Sequence, residues 1–143
     1  MTQLINDTGF VNDDWSGSFR DWEGVTSSAY ASDAGYGLDV PNTVGADQII
    51  PYFNQAALMR IDFPSSHDGR GFTIARHLRL LGYQGRLRAH GAVLADQYAM
   101  ARRCGFDEVE ISDALADRQP EAQWLFRANW KDHDYQSRLR QPA

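Results

Sequence analysis

Apolar and polar residues change rhythm once along this chain, near residue 37. Before it, short apolar pairs alternate with turn formers: Leu4-Ile5, Asn6-Asp7-Thr8-Gly9, Phe10-Val11, then Asn12-Asp13-Asp14-Trp15. Apolar runs flanking an Asn/Asp/Gly turn predict a short hairpin. From Ser16 to Gly37 small and polar residues dominate, with Phe19, Trp22, Tyr30 and Tyr36 interspersed. That mixture predicts an irregular segment pinned by its aromatics.

After residue 37 the pattern becomes strand-then-helix. Period-two runs predict strands over 37–40, 57–63, 86–90 and 108–112. Between them, helical spacing predicts helices over 44–53, 72–81 and 92–104, with Ile74, Ala75, Leu78 and Leu81 on the inner stripe of the second and Leu94, Tyr98 and Ala101 on that of the third. Two helix ends are built alike, Leu81-Gly82-Tyr83 and Cys104-Gly105-Phe106. Glycine there takes the left-handed conformation that closes a helix, and the aromatic after it packs back on the last turn. This likeness is a sign of internal repetition. Strands and helices alternating through short connections imply right-handed crossovers and a parallel sheet. The expected fold is therefore α/β, with about four βα units in a mainly parallel sheet, either an open layer or half of a barrel. An N-terminal hairpin precedes it and a helix over 121–126 follows Pro120. Trp124, Phe126, Trp130 and Tyr135 are expected to cover an exposed side of the sheet. The whole chain, 1–143, reads as one domain, with the hairpin and irregular segment over 1–36 and the repeated units over 37–143.

Composition narrows the class. At 143 residues, 43% hydrophobic and 23% charged, the chain can bury a core without metals or disulfides. It lacks an apolar run long enough to span a bilayer and a basic leader, so a cytoplasmic location is the expectation. The single Cys104 excludes an intramolecular disulfide and any zinc site of several cysteines. A formal charge of -5 argues against general nucleic-acid binding. Lys131 is the only lysine, so arginine carries nearly all the positive charge. Its planar guanidinium suits paired contacts to carboxylates or oxyanions.

Loops leaving the C-terminal ends of parallel strands converge on one rim, where ligands bind. That rule selects Asn42, the run Ser65-Ser66-His67-Asp68-Gly69-Arg70-Gly71, His90, and Ser112-Asp113. In the long run, Gly69 and Gly71 let backbone approach a ligand at a helix N-terminus, and Arg70 adds a full positive charge, a fit for sulfate, sulfite or phosphate. The competing structural reading has Asp68 capping the helix and Arg70 pairing with a carboxylate of the neighbouring unit. His67 and His90 end adjacent loops, so they could join Asp68 in an acid/base group. Their spacing matches no ligand motif, and no metal or cofactor is expected. Arg86 and Arg88 share one face of their strand, and Arg88 is expected to pair with Asp62 or Glu110, or with a ligand anion. Cys104, at a helix C-terminus, reads as a small core residue.

The stretch from Ile61 to Glu110 carries Asp62-Phe63-Pro64, Asp68-Gly69-Arg70-Gly71-Phe72, Gly82-Tyr83, Leu87-Arg88-Ala89, Asp96-Gln97 and Arg103-Cys104-Gly105-Phe106-Asp107. In these motifs it resembles bacterial domain-of-unknown-function family 934, departing at Ala92 and Ala95, where the family pattern has an acidic and a basic residue. Members are encoded beside assimilatory sulfite reductase. The resemblance implies an accessory protein or oxidoreductase component of sulfite reduction, with a sulfite reductase subunit as partner and the Asp68/Arg70 rim binding a partner or an oxyanion. Two further readings stand beside it. One is a small enzyme or binding protein for an anionic sulfur or phosphate compound, with Gly69, Arg70, Gly71, Arg88 and His67 holding the anion and Asp68 or His90 moving protons. The other is a structural domain that self-associates into a homo-oligomer.

Overall fold

The computed structural model describes residues 1–27 and 34–131. Seven strands form one sheet in the order β2-β1-β7-β6-β5-β4-β3. They are β1 (Thr2–Asn6), β2 (Gly9–Val11), β3 (Phe19–Asp21), β4 (Tyr36–Val40), β5 (Ala56–Phe63), β6 (Arg86–Gly91) and β7 (Glu108–Ser112). Strands β3 to β7 are parallel, and the hairpin β1-β2 adds antiparallel to β7. The hairpin turn is held by Asn6, whose Oδ1 accepts from the Thr8 amide at 2.8 Å.

The parallel sheet is therefore larger than four units. Its extra strand, β3, lies in the segment whose composition predicted irregular structure. Three residues carry too little alternation to register as a strand. What places β3 is Gly37 opposite: a Cβ there would lie 2.6 Å from the Phe19 ring. The irregular reading also put Tyr36 outside the repeated units, whereas it opens β4; Tyr30 lies outside the described residues.

Helices α1 (Trp22–Thr26), α2 (Ala46–Ile49), α3 (Arg70–Leu80), α4 (Tyr98–Cys104), α5 (Asp113–Arg118) and α6 (Glu121–Leu125) complete the order. Each parallel strand lies beside its predecessor, so the winding never reverses. Right-handed crossovers then keep α2, α3 and α4 on one face, α2 against α3 and α3 against α4. Beneath them sit the apolar registers Leu38–Met59–Leu87 and Val40–Ile61–Ala89–Val109, all buried.

Three helices differ from the sequence expectation for local reasons. The one expected over 44–53 is α-helical only at 46–49 and tightens to a 3-10 turn over 50–52, because Pro51 cannot continue an α-helix. The one expected over 92–104 starts at a 3-10 turn over 95–97. Leu94 stays extended, its amide donating to the Gln97 side chain at 2.9 Å, and is 37% exposed instead of facing the core. Leu81, expected on an inner stripe, is the C-cap of α3 and 47% exposed. The repeated helix ends match expectation closely. Gly82 and Gly105 have φ of 105° and 111°, and the Tyr83 and Phe106 amides donate back five residues to the Leu78 and Ala101 carbonyls, both at 3.0 Å. Arg79 ties the two ends together, donating to the carbonyls of Tyr83, Gly85 and Gly105.

The C-terminal helix docks beside the hairpin, not over the open side of the sheet. Glu121 accepts from the Phe10 amide at 2.8 Å, and Trp124 is buried edge-on to Tyr98. Phe126 is 73% exposed and Trp130 packs near Arg102, so neither covers the sheet; Tyr135 lies outside the described residues.

Candidate functional site

Side chains alternate across strands, so the face without helices carries the registers between the apolar ones. These are Asp39–Arg60–Arg88–Glu108 and Asp62–His90–Glu110. Charges placed in the middle of a parallel sheet must be paired, and they are. Arg88, with no side-chain exposure, donates to Glu108 at 2.5 Å, Glu110 at 2.8 Å and both oxygens of Asp13 at 2.9 and 3.0 Å. Arg60 holds Asp39 through two bonds of 2.6 and 2.9 Å and reaches Glu110 at 3.2 Å, its guanidinium 3.7 Å above the Phe19 ring. Arg86 grips Glu108 at 2.8 Å and Asp14 at 2.6 Å. Asp13 and Asp14 come from the segment after the hairpin, which therefore lies over the N-terminal half of this face.

Electrostatics follow the pairing. Burial pushes the Glu110 carboxyl up, but hydrogen bonds from Arg88 and Thr2 and the charge of Arg60 outweigh it and hold Glu110 below the usual carboxylate range. The Arg88 hydrogen bond likewise holds Asp13 down. Of the two partners expected for Arg88, Glu110 is present and Asp62 is not; Glu108, on the neighbouring strand β7, and Asp13 complete the pairing.

At the C-terminal ends of the strands this face opens into two cavities of about 460 Å³ each. Asp62 and His90 line both and divide them. The first is walled by Asp21, Trp22, Glu23, Asp39 and Arg60, the second by Thr2, Glu110, Ser112 and Arg118 among others. His90 Nε2 stands 3.6 Å from Glu110 Oε2, which also accepts the Thr2 hydroxyl at 2.9 Å. An imidazole reachable from a cavity and backed by a fixed carboxylate can take or give a proton.

Of the predicted loop residues, His90 lines both cavities and Ser112 the second, whereas the run from Ser65 to Gly71 lines neither. Gly69, not Asp68, is the N-cap of α3 and makes no side-chain cap. Asp68 accepts from the Arg70 amide at 3.2 Å and side chain at 2.6 Å, and from Asn42 at 2.9 Å. Arg70 thus pairs within its own loop, and the neighbouring unit contributes an amide instead of a carboxylate. These hydrogen bonds, Arg70 foremost, hold Asp68 well below the usual carboxylate range. Gly71 is buried against Phe63, whose ring a Cβ would meet at 2.5 Å, so close helix-to-strand packing alone requires glycine there. His67 is exposed and lines neither cavity; no three His, Cys, Asp or Glu among the described residues are arranged to hold a metal. Ser112 is spent as the cap of α5, accepting from the Leu115 amide at 3.2 Å. Cys104 packs half-buried on the core, and burial raises its thiol.

Rim loops drew the sequence reading, whereas the cavities are built from penultimate strand residues. Asp39 before Val40, Asp62 before Phe63 and His90 before Gly91 share one face, with Asp62 and His90 in one register and Asp39 one register deeper, level with Arg60. That repeated polar residue one step before each strand end was visible in the sequence. Trp22, Glu23 and Asp21 were not, because their strand was not.

The architecture defines the class: a singly wound parallel α/β sheet with helices on one face, and on the other an ion-pair network ending in a rim cavity. Within that class, the chain belongs to the family described as bacterial protein of unknown function (DUF934), whose model matches residues 37–143. The match takes in Asp39, Arg60, Asp62, Arg88, His90 and Glu110, and leaves the β3–α1 wall outside it. No curated protein and no solved structure matches the chain. Among the described residues no helix is long and apolar enough to cross a membrane.

Proposed function

We propose that this protein serves assimilatory sulfite reduction in the cytoplasm as an accessory or oxidoreductase component, working by contact at the helix-free rim with a sulfite reductase subunit. The role comes from the family resemblance; the choice of surface rests on one observation. Every arginine inside the helix-free face is already bound to carboxylates of the same chain, while the cavity beside them stays open with carboxylates to spare. A face balanced internally is a rigid platform, and its unbalanced rim is what a partner meets. Growth of a deletion strain on sulfate against cysteine tests the role. A requirement for cysteine, with co-purification of a sulfite reductase subunit, is the expected result; normal growth on sulfate refutes it.

A second reading keeps the loop at the start of α3 as a site for an anionic sulfur or phosphate compound. Arg70 is 60% exposed, so it could turn from Asp68 to a ligand. Calorimetry with sulfite and with sulfate checks this, and heat that disappears in Arg70→Ala is its expected sign.

A further inference from the structure

Parallel sheets are ordinarily covered on both faces. Here helices cover one face, and Asp13 and Asp14 fasten the segment after the hairpin over only the N-terminal half of the other. The C-terminal half is bare, and its first cavity sets four carboxylates, Asp21, Glu23, Asp39 and Asp62, against the single arginine Arg60. That arginine already serves Asp39 and Glu110. Glu23 and Asp62 enter no ion pair among the described residues. Trp22 and Pro41 give the same cavity an apolar wall.

We propose that this uncovered half of the sheet is a docking surface for a partner protein that inserts an arginine-bearing segment. The guanidinium would lie against Asp62 and Glu23, with its stem along Trp22 and Pro41. A planar, weakly hydrated cation that pairs with carboxylates and stacks on an indole suits such a wall better than a lysine does. A second copy of this chain would bring the same carboxylates to the contact, and with a formal charge of -5 like would face like. The inference rests on the accessory-protein reading above and adds the chemistry of the contact.

The test is calorimetry of the full chain with a short blocked peptide alternating arginine and alanine, its glutamate counterpart, and free arginine. The arginine peptide alone should bind, more weakly as salt rises, and the double variant Glu23→Gln/Asp62→Asn should weaken it by roughly tenfold or more. Both positions lie at the surface of the cavity, so the variant should melt with the native chain, and Asp117→Asn on α5 should leave binding unchanged. Equal binding by the double variant, or no peptide binding, overturns the proposal. Free arginine binding as tightly as the peptide overturns it in favour of a small cation, and dimerisation of the double variant overturns it in favour of a second copy. Complementation separates this inference from the reading beneath it. If the deletion strain needs cysteine and the double variant restores growth fully, the docking surface is wrong and the accessory role stands. If the deletion strain grows on sulfate, the role itself fails.

Discussion

The two faces of one sheet share their backbone and differ in every other residue. On the helix side, Leu38–Met59–Leu87 and Val40–Ile61–Ala89–Val109 are joined by nothing directional, and their stability scales with buried area. One step along each strand, Asp39–Arg60–Arg88–Glu108 is held by discrete pairs, each needing its partner in place. An apolar register yields gradually when trimmed. A buried ionic register fails when one member is removed, because the partner's charge is left stranded in low dielectric. The difference explains why the polar face can carry a site at all. Fixed charges hold their positions at the rim, and the apolar face behind them supplies the stability they do not.

The sharpest way to break this comparison is at Arg88. Replacing it by methionine keeps the volume but leaves Glu108, Glu110 and Asp13 without their common partner. Urea denaturation should show a loss of about 3–5 kcal/mol. Adding Glu108→Gln and Glu110→Gln to the same chain should recover a good part of it, since the cost is stranded charge and not lost packing. On the other face, Gly71→Ala should cost about 1–3 kcal/mol by overpacking, its new methyl driven into the Phe63 ring that already meets Phe72 and Phe106. No second substitution of charge should rescue it. If both variants respond alike to added Glu108→Gln and Glu110→Gln, the faces are not distinct in kind.

How much of this was legible in the sequence divides along the same line. The helix-covered face was largely readable, because period-two and period-3.6 patterns report burial against helices. The Gly82-Tyr83 and Gly105-Phe106 helix ends were readable from residue type alone, since the left-handed cap demands glycine. That Arg88 needs an anion followed from the cost of a buried arginine, but the residues alone left Asp62, Glu110 and a ligand open, and the structure supplies Glu110 together with Glu108 and Asp13. The failures have local causes. The short β3 was hidden by its length, and Leu94 was assigned to a helix whose start the Gln97 side chain delays. Phe126 was judged by hydrophobicity without a neighbour to bury it. Of the cavity only His90 is legible from the rim rule, because the walls around it meet only through the register of β4, β5 and β6. Asp68 illustrates the limit well. Its place beside Arg70 was in the sequence, but its bond to Asn42 exists only in three dimensions.

Acid should separate the faces next. Glu110 and Asp13 have folded-state affinities for protons below their ordinary ones, with the unfolded chain near the ordinary values of 4.5 and 3.8. The unfolded chain therefore binds more protons in that range, and stability falls as pH falls. The contribution is full above about pH 5.5 and is lost as pH drops through the ordinary carboxylate range and then through the lowered folded values. Chemical denaturation across this window should show the slope in the native chain and a shallower one in Arg88→Met. Gly71→Ala should lower the whole curve while keeping its slope.

The smallest effect is expected at Asp62, and it sharpens the comparison most finely. Asp62 belongs to the charged face by register, between Arg60 and Phe63, yet it sits beyond the network and is exposed. If the network is the whole meaning of the polar face, Asp62→Asn should destabilise as a broken pair does. If the rim is surplus charge held ready for a partner, the change should fall within about 0.5 kcal/mol of the native chain and alter binding instead. Thermal melting resolves the two, because the first outcome moves the transition by several degrees and the second leaves it in place. A measurable stabilisation would go further, since relief of repulsion among Asp21, Glu23, Asp39 and Asp62 would mean that the cavity is held open against its own charge.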